Sequence, residues 1–369
     1  MFMGRRTPLY SYHSEHAHLD SFAGFDMPIW YDGIMQEVMA VREDAGLFDI
    51  SHMGRAIFRG ADSGKYLDIL TTNEISSLEP LQAKYTLMCD ERGGILDDMI
   101  VCRLGEDSFM VVWNAANSEK NFRWAGVHKW EWDVEVELLT ERSFMLAVQG
   151  PSAQRVLQPL CDAEIGGIKR FRGVNCRVSG TECLVTRTGY TGEDGFEIIS
   201  NDAGKAEKVW AGILSAGAVP AGLGARDVLR LEAGLPLYGH DINEEHNPFE
   251  ARLEFAVRLE KPEFIGKDAL VGIARGGVEF KRTGIRMADR GIPREGFKIS
   301  SGGKEIGRVT SGTYSPTVKA GIAMGYLKGA LPCGTEASVD IRGREGRGII
   351  SDTPFYDETK FGFKRRVPA

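Results

Sequence analysis

Apolar positions recur along this chain in two alternating periods, and the switches between them outline its elements. Ile34, Val38 and Val41 repeat at helical spacing, and Gly46 stands where a left-handed C-cap is expected. The chain then runs through Phe48-Asp49-Ile50 and His52-Met53-Gly54 into a predicted strand over 55–59, followed by an amphipathic helix over 61–70 with Tyr66, Leu67 and Leu70 inward. From Ala83 to Val112 the pattern is that of strands, separated by turns at 90–94 and 105–107. Residues 117–130 return to helical spacing. A new alternating block starts at Phe144, with a turn at Val148-Gln149-Gly150-Pro151 into a short helix. Residues 170–200 predict three short strands, and 203–217 and 226–234 predict helices. Glycines cluster from Gly272 to Gly277, a boundary. Beyond it, short strands with Gly-rich turns predict a small β-barrel or β-sandwich.

The 369 residues exceed one compact core and favour two or three units. A net charge of −7 argues against a nucleic-acid protein held by a general basic surface. The six cysteines (Cys89, Cys102, Cys161, Cys176, Cys183, Cys333) contain no C-x-x-C pair, so neither a zinc ribbon nor a redox dithiol is indicated. Cys176 and Cys183 could face each other across a hairpin as reduced, packed thiols. No apolar run reaches bilayer length and no secretory pattern opens the chain, so the expectation is a cytoplasmic protein without a membrane partner.

Candidate chemistry concentrates in three places. In Gly93-Gly94-Ile95-Leu96-Asp97-Asp98-Met99-Ile100-Val101, two adjacent carboxylates sit between a Gly-Gly turn and an apolar strand. Strand alternation sends them to opposite faces, so one must meet the apolar face or a cleft. The strand pattern alone leaves open which of the two is the functional one. In Thr188 to Glu197, Tyr190 and Glu197 flank a Gly-rich turn between strands. A tyrosine beside a carboxylate suits a flat heterocycle with an amidine-like N–H pair. In Gly222-Leu223-Gly224-Ala225-Arg226-Asp227, the glycines suggest a dinucleotide loop, but Asp227 replaces the third glycine and would repel a pyrophosphate. Arg226 is better read as a fixed cation at a helix start. His13, His16 and His18 lack metal-ligand spacing and read as a solvated helix start, so no metal is expected. No serine has hydrolase context.

Taken together, the chain resembles the glycine cleavage system T-protein family, the tetrahydrofolate-dependent aminomethyltransferases. The resemblance rests on ordered stretches along nearly the whole chain. They include Thr7-Pro8-Leu9-Tyr10, 22–28, 46–54, 93–101, Asn114-Ala115-Ala116-Asn117, 186–197, 222–227 with 235–240, 290–296 and 310–316. It implies an α+β fold, a three-domain cloverleaf of mostly antiparallel sheets with flanking helices and a C-terminal β-barrel around a central folate pocket. The expected division is 1–50 with 143–275, then 51–142, then 276–369.

The resemblance further implies transfer of the methylene from the aminomethyl group on the lipoyl arm of H-protein to tetrahydrofolate, with release of ammonia. Asp98 falls on the family's catalytic aspartate, and Asp97, facing the other way on the strand, is expected to tolerate change. Tyr85, Asn114, Tyr190, Glu197 and Arg226 fall on folate-contacting positions, and so does Arg365 in the tail. Cys102 and Trp113 depart from the family pattern and alter the expected pocket wall. The implied partners are lipoylated H-protein and tetrahydrofolate, and the basic cluster Lys360, Lys364, Arg365 and Arg366 is a candidate docking patch. The alternatives within the fold family are a folate-dependent demethylase or a non-catalytic folate-binding protein. Sarcosine-type oxidases carry a flavin domain for which the chain has no room. The iron–sulfur-maintenance relatives carry a Lys-Gly-Cys-Tyr-type motif absent here.

Overall fold

The computed structural model describes residues 4–129, 131–329 and 331–365. It is a mixed α+β structure built on three principal sheets. The first has six strands in the order Gly173–Val178, Thr181–Thr186, Gly195–Ser200, Phe144–Gln149, Gly46–Asp49 and Val219–Pro220. All its neighbours are antiparallel except the last pair. The second has five antiparallel strands, Ala83–Cys89, Ile95–Gly105, Ser108–Trp113, Gly54–Arg59 and Glu135–Leu138. The third is a closed six-stranded barrel over residues 280–351, which leaves no free sheet edge. A small three-stranded sheet over Arg5–Arg6, His18–Phe22 and Phe25–Trp30 lies N-terminal to these.

Alternation within the strands divides their side chains between two cores. Phe196 and Ile198 join Phe144, Val148 and Trp210 on one side of the first sheet. On its other side, Phe48, Met145 and Ala147 pack with Ile57 and Met110 of the second sheet and Leu229. The two sheets thus share one apolar cluster and are held face to face by it. Ile242, Ala251, Leu253, Phe264 and Leu270 pack instead on Leu87, Cys89 and Ile95 of the second sheet. This places 242–270 against the unit centred on 54–138.

Two helices carry the connections. Ile34–Glu43 and Leu223–Glu232 pack against each other, and Arg42 on the first is fully buried. Its guanidinium meets Glu193 at 2.8 Å and Glu232 at 2.7 Å and donates to the Thr191 carbonyl. Glu232 accepts from Ser315 and Thr317 of the barrel side, so one ion cluster ties three parts of the chain. Arg230 adds a second tie through Asp241 at 2.6 Å and Ser311 at 2.9 Å. Barrel residue Arg282 donates to the Ala251 and Gly234 carbonyls at 2.9 Å each.

Some local expectations change. Gly46 is no helix cap: the first residue of a strand, it lies where a Cβ would collide with Val41. The helix before it ends at Glu43, with Asp44 as its C-cap. His13 is buried rather than solvated; its Nε2 lies 2.9 Å from Asp49 and its Nδ1 2.8 Å from the Tyr31 hydroxyl. Burial works to raise Asp49, but hydrogen bonds from His13, Ser51 and Thr7 prevail and pull it to about 2. Cys176 and Cys183 are cross-strand partners, and both thiols are free and buried.

Candidate functional site

A cavity of about 1180 Å³ opens where the three sheets meet. Its wall draws on Asp98 and Tyr85 from the second sheet with Asn114 just beyond it, Glu197 from the first sheet, Tyr190 from the loop before that strand, Arg226 from helix Leu223–Glu232, and Thr310 and Ser311 from the barrel. These six candidate residues, scattered from 85 to 226 in sequence, therefore share one enclosure.

The carboxylate end is built by strand register. Gly93, with φ of +86°, makes the turn that starts strand Ile95–Gly105. Asp98 lies opposite Leu87, which makes Tyr85 its diagonal neighbour, and the Tyr85 hydroxyl donates to Asp98 Oδ2 at 3.1 Å. Asn114, the first residue beyond strand Ser108–Trp113, donates from Nδ2 to Asp98 Oδ1 at 2.7 Å and Asp97 Oδ1 at 2.8 Å. Burial raises the Asp98 pKa above the usual carboxylate range, opposed by the Asn114 and Tyr85 donors.

Asp97 points to the other face, as alternation requires, but it is not at the surface. It is fully buried and accepts hydrogen bonds from the side chains of Asn114, Asn117 and Asn121 and from the Asn114 backbone N–H. Burial first, and the Asp98 charge second, push it up to about 7. The expectation that Asp97 tolerates change is corrected on this ground: it is the hub that holds Asn114 beneath Asp98. The signal was present in the chain, since 114, 117 and 121 are spaced three and four residues apart and supply only amides.

The opposite end is built by the loop 187–194 and the first turn of helix Leu223–Glu232. Alternation on strand Gly195–Ser200 turns Glu197 away from the Phe196 and Ile198 core. Thr188 donates to Glu197 Oε2, and burial raises the Glu197 pKa against the pull of Thr188 and Arg226. Tyr190 donates its hydroxyl to the Pro236 carbonyl, which fixes the ring, and the Arg226 guanidinium lies 4.7 Å from that ring's centroid. Arg226 Nη1 is buried without a hydrogen-bond partner. One wall thus offers an aromatic face, a carboxylate and an unspent cation.

A family model for the GCVT N-terminal domain matches residues 9–261, and one for the glycine cleavage T-protein C-terminal barrel domain matches 281–357. The chain belongs to the glycine cleavage T-protein family. An aminomethyltransferase of Geobacillus thermodenitrificans is 45% identical, over 97% of this chain and 100% of that protein. One of Rubrobacter xylanophilus is 46% identical, over 95% and 94%. The crystal structure of glycine cleavage system aminomethyltransferase T from Bartonella henselae superposes with a TM-score of 0.91 at 34% identity, covering 98% of this chain and 99% of that one.

Within this T-protein frame, several residues sit differently from expectation. Arg365 is not among the residues lining the cavity: its guanidinium engages Glu193 and donates to the Arg42 carbonyl at 3.0 Å. The tail expected to dock a partner has its charges paired, Lys360 with Asp357 at 3.6 Å and Lys364 with Glu358 at 2.9 Å; Arg366 lies outside the described residues. Cys102 is buried in the core the two sheets share rather than in the cavity wall, and Trp113 is buried with its Nε1 donating to Ser118 at 3.2 Å. The wall also includes His52 and Phe255, the latter 71% exposed and stacked 5.8 Å from Tyr85. Among the described residues no group of three His, Cys, Asp or Glu is placed to hold a metal ion, and no helix is long and apolar enough to cross a membrane.

Proposed function

We propose that this chain is the aminomethyltransferase of the glycine cleavage system. It takes the aminomethyl group from the lipoyl arm of H-protein and moves its methylene to tetrahydrofolate, giving 5,10-methylenetetrahydrofolate, ammonia and the dihydrolipoyl arm. The observation that carries the reading is the convergence of Asp98, Tyr85, Tyr190, Glu197 and Arg226 on one cavity. A volume of about 1180 Å³ exceeds the ~300–1,000 Å³ of ordinary ligand pockets, which suits a folate together with an incoming arm.

The roles follow from chemistry. Tyr190 supplies a face for the pterin ring, and Glu197 accepts the ring's paired N–H groups in a two-point contact. Arg226 receives an oxygen of the ligand. Asp98, held by Tyr85 and Asn114, faces the carbon that loses its sulfur and gains positive, iminium-like character. A carboxylate fixed beforehand stabilises that charge without reorganising at the moment of reaction, and it orients the attacking amine N5 of the folate. The other lone pairs of Asp98 are left for the substrate because Asp97 absorbs the Asn117 and Asn121 amides.

An ammonia-release assay with aminomethylated H-protein tests the proposal. Rapid release that requires tetrahydrofolate, with equimolar 5,10-methylenetetrahydrofolate, is expected. Release of the same rate without folate, or none with H-protein but turnover of a free N-methyl amine, would replace it with another activity of the fold.

A further inference from the structure

Phe255 is the most exposed large apolar side chain among the described residues, at 71%. It is not a loose end. The short turn that carries it, Glu254–Ala256, is pinned on both sides of the ring. Leu253 and Ala256 are buried in the cluster with Leu87 and Phe264, and the Ala256 carbonyl accepts from Thr72 Oγ1 at 2.8 Å. A backbone anchored in this way presents the ring at a fixed place.

Single exposed apolar residues are common and need no explanation. Two observations set this one apart. Phe255 lines the cavity, and one of its faces is stacked on Tyr85, with ring centroids 5.8 Å apart and 24° between the planes. Tyr85 in turn is packed against the same apolar cluster, and its hydroxyl is the donor that holds Asp98 at 3.1 Å. The two rings form an apolar track with one end at the carboxylate and the other in water.

Two substrates must meet at Asp98, and their chemistry differs. The folate is anchored by its pterin at the Glu197 end, and its far end carries carboxylates, to which a bare phenyl face offers nothing. The aminomethyl donor comes on a neutral chain of methylene groups that ends in sulfur. Such a chain gains by leaving water for an aromatic face, and sulfur beside a ring adds a favourable contact.

We propose that Phe255 is a specificity-determining residue for the donor: it is the outer half of a two-ring track along which the aliphatic dithiol arm lies, so that the aminomethyl carbon reaches Asp98. The inference rests on the aminomethyl-transfer reading and adds to it the side of the cavity that receives the arm.

Steady-state ammonia release at saturating tetrahydrofolate tests it, with two donors: aminomethylated H-protein, and aminomethylated dihydrolipoamide, which is the arm without the protein. Phe255→Ala should raise KM for both donors by about tenfold, the low end of what burying a phenylalanine gains, with little change in kcat. Phe255→Leu, which restores apolar surface, should recover most of the loss. Tetrahydrofolate affinity by calorimetry should be the same in the wild type and both variants, which also reports that the cavity is folded. An unchanged KM in Phe255→Ala overturns the proposal. So does a KM raised with H-protein alone, since the ring would then touch the carrier and not its arm, and so does a matching loss of tetrahydrofolate affinity. In each of these cases wild-type turnover stands and only the Phe255 role fails. A wild-type chain that releases no ammonia from either donor sinks the aminomethyl-transfer reading, and this proposal with it.

Discussion

Two clusters of buried charge sit close together here and are finished in opposite ways. In the first, Arg42 spends its guanidinium on Glu193, Glu232 and the Thr191 and Leu229 carbonyls. Its carboxylates in turn accept from Arg365, Gly362, Ser315 and Thr317. In the second, Asp98, Glu197, Arg226 and His52 share a cavity wall, and Arg226 and His52 each keep a buried nitrogen without a partner. Both clusters cost desolvation. Saturated charges add up to a structural joint, whereas unsatisfied ones facing a cavity await something that is not part of the chain.

That contrast breaks if the joint proves catalytic or the wall proves merely structural. Arg42→Met should carry the largest penalty, about 3–5 kcal/mol in urea unfolding, because Glu193 and Glu232 are left buried and uncompensated. Activity per folded molecule should stay near normal; a selective loss of turnover would mean that the joint belongs to the site. Asp98→Asn should do the reverse, lowering kcat by roughly 10²–10³-fold with tetrahydrofolate affinity within a few-fold and stability nearly unchanged. Its neighbour sharpens the point: Asp97→Asn sets an amide against donors and should cost about 1–3 kcal/mol of stability. Glu197→Gln should weaken tetrahydrofolate by about 1.5–3 kcal/mol, the scale of a charge-assisted hydrogen bond. Unchanged affinity in calorimetry would remove that residue from recognition.

The smallest effect concerns pH. Burial raises Asp98 and the Tyr85 hydrogen bond opposes the rise, so removing that donor raises it further. Because the ionised form is the working one, activity is lost as pH falls through that pKa. In Tyr85→Phe the acid limb of kcat should therefore move to higher pH, and a limb that moves to lower pH or stays fixed contradicts the assignment.

What could be seen in the chain was what lies close together in it. Asp97-Asp98, the Tyr190-to-Glu197 loop and the Arg226 helix start are each local, and the strand period alone separates the two aspartates. The alternating blocks outlined the two open sheets and the glycine-punctuated strands narrowed the last unit to a barrel or a sandwich, because both periods are local signals. What lay hidden depends on long-range encounter. Arg42 meets Glu232 across 190 residues, and nothing around either announces the other. His13 looked solvated because its partners, Tyr31 and Asp49, belong to other elements. Arg365 looked free for the same reason.

The cavity has no floor that any single sheet could supply. Asp98 comes from one unit, Glu197 from another and Thr310 from the barrel, so the recess exists only while all three are docked. A ligand spanning it would act as a thermodynamic rivet, stabilising the docked state by RT ln(1 + [L]/Kd) and leaving undocked units untouched. Saturation with folate should therefore draw separate melting steps of the sheets and barrel toward a single one, making occupancy readable from the sharpness of unfolding as well as from its midpoint.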